Sequence, residues 1–534
     1  MGTKGLWGYL ESHGLISQAR GNKGGEAIME PNHLLIDMNA LVHSVIVRDQ
    51  LTSRKVIQDV IASIKRILLL FPPTETFALV FDGAAPLAKL RLQKERRGDM
   101  GIPKDMLQPS NSTVGSRYNH NYHEREVKLR REEVLTGSEF LLACEDAVRC
   151  ALTIESENGQ SFVKNPDCTI IISGCTEAGE GELKISSILR EIWMKQQQTN
   201  TYTGEDVIIV FGNDSDLALI GIACTPYQSY YIVDPVDFAM TDVGKLFEHW
   251  RRSVPNGRLP YALLPSYRID FLFLTLLSGG DWYEGIGNTS RQLWRRYRDL
   301  RLNGGYYRRS LISGETFDID IEFLRSVMDV KTGIYSNGHP SKNKQITMRK
   351  VSSLPPSSVE GGVDLLKGAM WALKSIVAGQ CFDYNFRVQP KKTTMGMLKA
   401  AAYKKKLTES IRPVSTSPIP LYSPLEQCLA VMGKRGRYSQ ELIRAVVAVG
   451  ENGGHTLTIS HSTTYLLKQV HLIIAEVDTA KLTLAEHELL KAQHRVVSVD
   501  GNEEYPSITF MSYKYSSSSV PAESSDNKEN NISD

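Results

Sequence analysis

Short apolar runs that each stop beside a polar or glycine cluster constrain this chain more than any other feature. Five of them lie in the first 290 residues: His33–Asp37, Phe77–Phe81, Cys168–Ile172, Val207–Phe211 and Tyr230–Val233. Each is rich in Ile, Val or Leu, too short for a helix, and separated from the next by stretches of helical character. That alternation predicts an α/β fold with a mostly parallel central sheet flanked by helices. The first four runs lead into an acidic residue. In doubly wound sheets, ligands gather beyond the carboxyl ends of the strands, so these acids stand where a ligand would bind.

Seven carboxylates occupy such positions: Asp37 in LLIDMN, Asp82 in ALVFDG, Glu180 and Glu182 in AGEGELK, Asp214 and Asp216 in FGNDSDL, and Asp281 in LLSGGDW. One Asp at a strand end is ordinarily a turn or helix cap. Seven in the same topological position point to divalent cations, because gathering that much negative charge without them is costly. Mg²⁺ takes oxygen ligands and keeps several waters. Two such ions can hold the attacking and leaving oxygens of a phosphoryl displacement. Asp214 and Asp216, two residues apart, share one side of an extended backbone. Glu180 and Glu182 stand at a glycine-opened helix start, where the dipole favours negative charge.

Directly after Asp82, in GAAPLAKLRLQKERRG, residues Lys89, Gln93, Arg96 and Arg97 fall at i, i+4, i+7 and i+8 of a helix. Forked guanidinium, point ammonium and neutral amide donors on one face suit a terminal phosphate, although most basic helices are simply solvated. His43 and Trp371 are candidate base-stacking residues.

Composition decides less. With 62 basic and 60 acidic residues the net charge is +2, which an acidic site and a basic track would also give by cancellation. The seven cysteines form no CxxC pair, which fits reduced thiols and gives no zinc signature. No run reaches the ~18 apolar residues of a membrane span, and the N-terminus lacks a secretory apolar segment. The expected organisation is a core over 1–290, an insertion and second core segment over 291–390, a basic Ser/Pro linker over 391–420, a C-terminal α/β region over 421–513 and a disordered tail over 514–534.

These pieces occur in an order that resembles the 5′-to-3′ exoribonuclease family of the Xrn/Rat type. LLIDMNALVH and FDGAAPLAKLRLQKERR resemble its first two motifs. LTGSEF, SGCTEAGEGELK, FGNDSDLALIGIA and DFLFLTLLSGGDW continue the series, and GAMWALKSIVAGQCFDYNF and SPLEQCLAVM resemble later segments. The resemblance implies a PIN or flap-nuclease-like core with a smaller C-terminal region, and two-metal-ion hydrolysis of RNA to mononucleotides. On this reading Asp37, Asp82, Glu180, Glu182, Asp214, Asp216 and Asp281 hold one or two Mg²⁺ or Mn²⁺ ions. Lys89, Gln93, Arg96 and Arg97 grip a 5′-monophosphate, while His43 and Trp371 contact bases of a single-stranded RNA. An intracellular, cytoplasmic mRNA-decay enzyme with no membrane partner is the expectation. Leu183 stands where the family has His, and Gly280 where it has Asn. Two alternatives are a structure-specific 5′ nuclease acting on DNA flaps, whose N-terminus MGTKGLWGYL resembles, and a non-catalytic RNA-binding relative.

Overall fold

The structure is a computed structural model that describes residues 3, 5–18, 29–46, 51–98, 128–157, 162–201, 203–224, 229–252, 263–287, 290–314, 316–329, 356–387, 393–404, 406–411, 417, 419–432, 436–445 and 463–491. Residues 99–127 fall outside the described residues, as does the expected tail over 514–534.

A seven-stranded sheet is built from β1 (Ile16–Gln18), β2 (His33–Asp37), β3 (Thr76–Val80), β4 (Thr169–Ser173), β5 (Val207–Phe211), β6 (Ser229–Val233) and β7 (Ala239–Asp242), in the spatial order β1-β7-β6-β5-β2-β3-β4. The five strands expected from sequence all form, with bounds shifted by at most one residue, and they pair in parallel. The two extra strands, β7 and β1, add antiparallel pairs at one edge. Neither ISQ nor AMTD carries an apolar run, so only pairing with a neighbour makes them strands.

The interior positions of β2, β3 and β5 are apolar and buried because both faces of the sheet are covered there. Side chains alternate between two cores. Leu35, Ala78, Val80, Ile208 and Val210 join one, with helices Gly181–Gln198, Asp216–Cys224, Leu264–Leu276 and Pro356–Ala378. Leu34, Ile36, Phe77, Leu79, Ile209 and Phe211 join the other, with helices Ser53–Leu70 and Glu139–Glu157. Helix Ser53–Leu70 shows why such elements form. Thr52 caps it by accepting from Lys55 N, and Val56, Val60, Ile64 and Ile67 recur every three or four residues on the buried face. Each such side chain contributes about 1.5–3 kcal/mol on burial.

Two expectations about the later chain need correction. The stretch 391–420, expected as a linker, contains helices Met395–Ala402 and Leu407–Ile411, the first packed on Pro356–Ala378. Its Leu398, Ala400, Ala401 and Ala402 are buried. The facing Gly361 and Gly362 permit the approach, since a Cβ on Gly362 would lie 2.2 Å from the Met397 carbonyl oxygen. Ser and Pro content concealed this small apolar face.

The C-terminal α/β region expected over 421–513 shows, among its described residues, helices Pro424–Met432, Thr463–Glu476 and Leu484–Leu490 and no strand. Their Leu425, Leu429, Leu467 and Leu489 join the same core as Leu34 and Phe77. Apolar residues that look sufficient for a private core are spent on the main sheet.

Candidate active site at the carboxyl ends of the strands

Four parallel strands end on one rim, and their acids converge there. Asp37 closes β2 and caps helix Met38–Val45, its Oδ1 accepting from Ala40 N at 3.1 Å. Asp82 follows β3. Asn39 clasps it from two directions, Nδ2 donating to Asp82 Oδ2 at 2.8 Å and Oδ1 accepting from Asp82 N at 3.1 Å.

The loop after β4 docks on the loop after β3. Gly83 N donates to Gly179 O at 2.8 Å, and Gly179 N donates to Ala84 O at 2.9 Å. Glycine is required at both positions: a Cβ on Gly83 would overlap the Glu177 carbonyl oxygen, and Gly179 has φ +112°. Docking brings Gly181 N within 2.6 Å of Asp82 Oδ1, so the positive end of helix Gly181–Gln198 faces that carboxylate.

Glu180 and Glu182 open the same helix and are buried. Trp282 Nε1 donates to Glu180 Oε2 at 2.7 Å. After β5, Asp216 N donates to Asp214 Oδ1 at 3.0 Å, and Asp216 Oδ1 receives Thr3 N and Oγ1 at 2.9 and 2.7 Å. Asp281, just past helix Leu264–Leu276, is buried in the same region.

Lys89 stands among these acids. Its Nζ lies 2.8 Å from Glu180 Oε1, 3.5 Å from Asp281 Oδ2 and 3.6 Å from Glu182 Oε1. Burial opposes the charge on Lys89, but Glu180, Glu182, Asp281 and Asp214 hold the ammonium well above its ordinary value. Burial, with Asp82 and Asp214 nearby, pushes Asp37 up to about 7. Burial, with Asp214 nearby, pushes Asp216 up to about 7 as well. Glu180, Glu182 and Asp214 also rise by burial, against the pull of Lys89. One ammonium thus serves a pocket with more negative charge than it can neutralise.

The chemistry of this donor set suits a divalent ion. Asp216 Oδ2 and Glu182 Oε1 are buried with no hydrogen-bond donor among the described residues, and all-carboxylate oxygen surroundings are what Mg²⁺ or Mn²⁺ take.

The structure brings all seven expected acids together and adds Lys89 to them. Gln93 lies one turn further along helix Leu87–Gly98 and is half-buried. Arg96 and Arg97 belong to that helix, with side chains outside the described residues. His43 is half-buried on the helix that Asp37 caps, six residues on, about 9 Å along its axis.

Trp371, expected to grip a base, is 4% exposed. Its Nε1 donates to Asp383 O at 3.0 Å, Phe386 stacks on it at 4.9 Å, and its ring meets Trp282 edge-on at 5.6 Å. Its visible contribution is to brace the tryptophan that holds Glu180, which corrects the expectation of an open stacking face. It also lines a cavity of about 290 Å³ with Lys367, Lys374, Phe382 and Arg387.

Five supporting residues escaped sequence reasoning. Asn39 and Trp282 sit next to predicted motif residues, a proximity that offers a signal. Thr3, 213 residues from Asp216, offers none. Lys184 Nζ donates to Phe81 O at 2.8 Å and Gly174 O at 2.7 Å, tying the ends of β3 and β4, and burial lowers it to about 8. From the C-terminal helices, Gln427 accepts from Ala85 N at 2.9 Å and donates to Ala85 O at 3.2 Å, fixing the loop after Asp82.

A mostly parallel sheet whose strands carry an acid pocket at their carboxyl ends defines an α/β protein with a PIN-like core. Residues 1–233 match the family described as XRN 5′-3′ exonuclease N-terminus. Among curated proteins it resembles the 5′-3′ exoribonuclease 2 of Debaryomyces hansenii, 24% identical over 218 residues, or 36% of this chain and 20% of that protein. It also resembles the 5′-3′ exoribonuclease 1 of Saccharomyces cerevisiae, 24% identical over 211 residues, 37% of this chain and 13% of the relative. The human 5′-3′ exoribonuclease 1 is 23% identical over 217 residues, 38% and 12% respectively. The match thus spans about a fifth or less of these relatives' length.

Proposed function

We propose that this chain is a 5′-to-3′ exoribonuclease that removes mononucleotides from RNA beginning with a 5′-monophosphate. The observation that carries the reading is the convergence of seven carboxylates from separate stretches on one rim, several of them held above their ordinary protonation range. Asp37, Asp82, Glu180, Glu182, Asp214, Asp216 and Asp281 would hold one or two Mg²⁺ or Mn²⁺ ions, which supply activated water and neutralise phosphate charge. Asn39, Trp282, Thr3 and the helix amino terminus at Gly181 fix the carboxylates in advance, so little reorganisation accompanies reaction. Lys89 holds positive charge at the pocket. Gln93, Arg96 and Arg97, further along its helix, are the groups for the 5′-phosphate, and His43 is the stacking residue for the first base. The amount of chain between phosphate grip and acids sets the cut one nucleotide in. The family name and the names of the relatives support this class of activity.

Purified full chain with Mg²⁺, given end-labelled RNAs that differ only at the 5′ end and a DNA flap in parallel, tests the reading. Monophosphorylated RNA should be degraded to mononucleotides, and hydroxyl, triphosphate and flap substrates spared. Asp214→Ala with Asp216→Ala should abolish cleavage while RNA binding in Ca²⁺ persists. Equal cleavage of all 5′ ends would sink the end-recognition assignment, and preference for the flap would favour the structure-specific reading.

A further inference from the structure

A second group of metal-ligand side chains lies at the other end of the sheet, where β2, β3 and β5 begin. The order β5-β2-β3 makes these strands neighbours, with His33 paired to Ile208 on one side and Thr76 on the other. Asp206 and Glu75 immediately precede β5 and β3, so the register sets one carboxylate on each side of His33. His33 Nε2 lies 3.4 Å from Asp206 Oδ2 and 3.9 Å from Glu75 Oε2, and one donor atom from each residue falls within 4.8 Å of the others. From His33 to Asp37, β2 spans about 13 Å, so this cluster is separate from the acid pocket.

We infer that His33, Glu75 and Asp206 form a binding site for one zinc-class divalent cation that staples β5, β2 and β3 at the amino end of the sheet. Tetrahedral coordination with bonds of about 2.0–2.1 Å sets donors roughly 3.3 Å apart, against the 3.4 and 3.9 Å that separate His33 Nε2 from the two carboxylates. The three residues offer one imidazole nitrogen and two carboxylate oxygens, a set suited to Zn²⁺.

The ligands are also held by neighbouring hydrogen bonds, as metal ligands are; for Asp206 that bond falls on Oδ2, the oxygen that faces His33. His33 Nδ1 is 3.1 Å from Thr76 Oγ1, so an Nδ1–H donating there directs the Nε2 lone pair at the carboxylates. Asn32 Nδ2 donates to Glu75 Oε1 at 2.8 Å and leaves Oε2 facing His33, while Asn32 Oδ1 accepts from Val207 N at 2.9 Å. Gln196 Nε2 donates to Asp206. The His33 side chain is 2% exposed and Glu75 49%, so a fourth ligand, water, can enter from the Glu75 side.

The test uses full chain stripped with chelator, saturated with Mg²⁺ to occupy the acid pocket, and titrated with Zn²⁺. Bound zinc is counted by elemental analysis, and Co²⁺ substitution reports tetrahedral geometry through its visible absorption. Wild type should bind one zinc under Mg²⁺, and so should the Asp214→Ala/Asp216→Ala variant. Glu75→Gln and Asp206→Asn should each weaken binding at least tenfold while the folded circular-dichroism spectrum persists. Glu75 is half exposed, so its variant keeps the test open should a change at His33 prevent folding. Unchanged zinc affinity in both variants, or no zinc retained under Mg²⁺, overturns the proposal and leaves an ordinary histidine–carboxylate contact. Neither result bears on the nuclease reading, because no cleavage is measured.

Discussion

Without divalent ions, the acid pocket makes stability depend on pH with a defined sign. Asp37 and Asp216 are protonated more readily in the fold, at about 7 in place of 3.8. A carboxylate whose folded value is raised binds more protons folded than unfolded, so its contribution is present below about pH 4 and is lost as pH climbs to about 7. The rise from 3.8 to about 7 puts the loss near 4 kcal/mol for one such group. Asp37 and Asp216 interact through shared neighbours, so their losses do not simply add. Thermal unfolding in chelator should therefore fall by several degrees between pH 5 and pH 8. Millimolar Mg²⁺ should raise the midpoint at pH 8 far more than at pH 5, because binding requires the ionised carboxylates. Asp216→Asn, which is neutral at every pH, should flatten the chelator profile. If the midpoint in chelator is constant or rises from pH 5 to pH 8, or Mg²⁺ stabilises equally at both, the carboxylates do not share a desolvated pocket and the argument fails.

Other substitutions probe separate parts of the arrangement. Lys89→Ala removes the ammonium from Glu180, Glu182 and Asp281 and should cost about 3–5 kcal/mol in chelator, with most of it restored by Mg²⁺ in a calorimetric scan. Trp282→Phe deletes the donor to Glu180; a loss of roughly 1–3 kcal/mol and weaker Mg²⁺ binding by titration calorimetry are expected, and intact Mg²⁺ affinity would show that this bond does not position the ligand. Gln427→Ala breaks both bonds to Ala85 and should cost about 1–3 kcal/mol in denaturant unfolding, together with a higher KM for RNA if the loop after Asp82 moves. Gly83→Ala places a methyl on the Glu177 carbonyl and should lower cleavage more than thirtyfold while global unfolding shifts only modestly.

The five parallel strands were legible because a strand covered on both faces must be apolar at successive positions, which leaves an unmistakable run such as LLI in β2 or VIIVF in β5. Their acids were legible for a related reason: Asp37 and Asp82 stand out because each ends an uninterrupted apolar run. Strands β1 and β7 carry no such run, since they are short antiparallel additions at one side of the sheet that are only partly covered. The C-terminal helices misled because an apolar face says that something will be covered but not by what. Leu425 and Leu429 are packed in the same core as the sheet's Leu34 and Phe77.

Sequence alone determined which groups could do the chemistry: seven carboxylates, a basic helix beside them, and the strands that deliver both. Only the tertiary structure decided how they are used. It put Lys89 inside the acid pocket, turned Trp371 into a brace for Trp282, and recruited Thr3 and Gln427 across 213 and 342 residues. The division has a physical cause. Local sequence fixes the backbone period and the chemistry of a side chain, whereas its neighbours depend on loop closure and packing, which distant parts of the chain settle together.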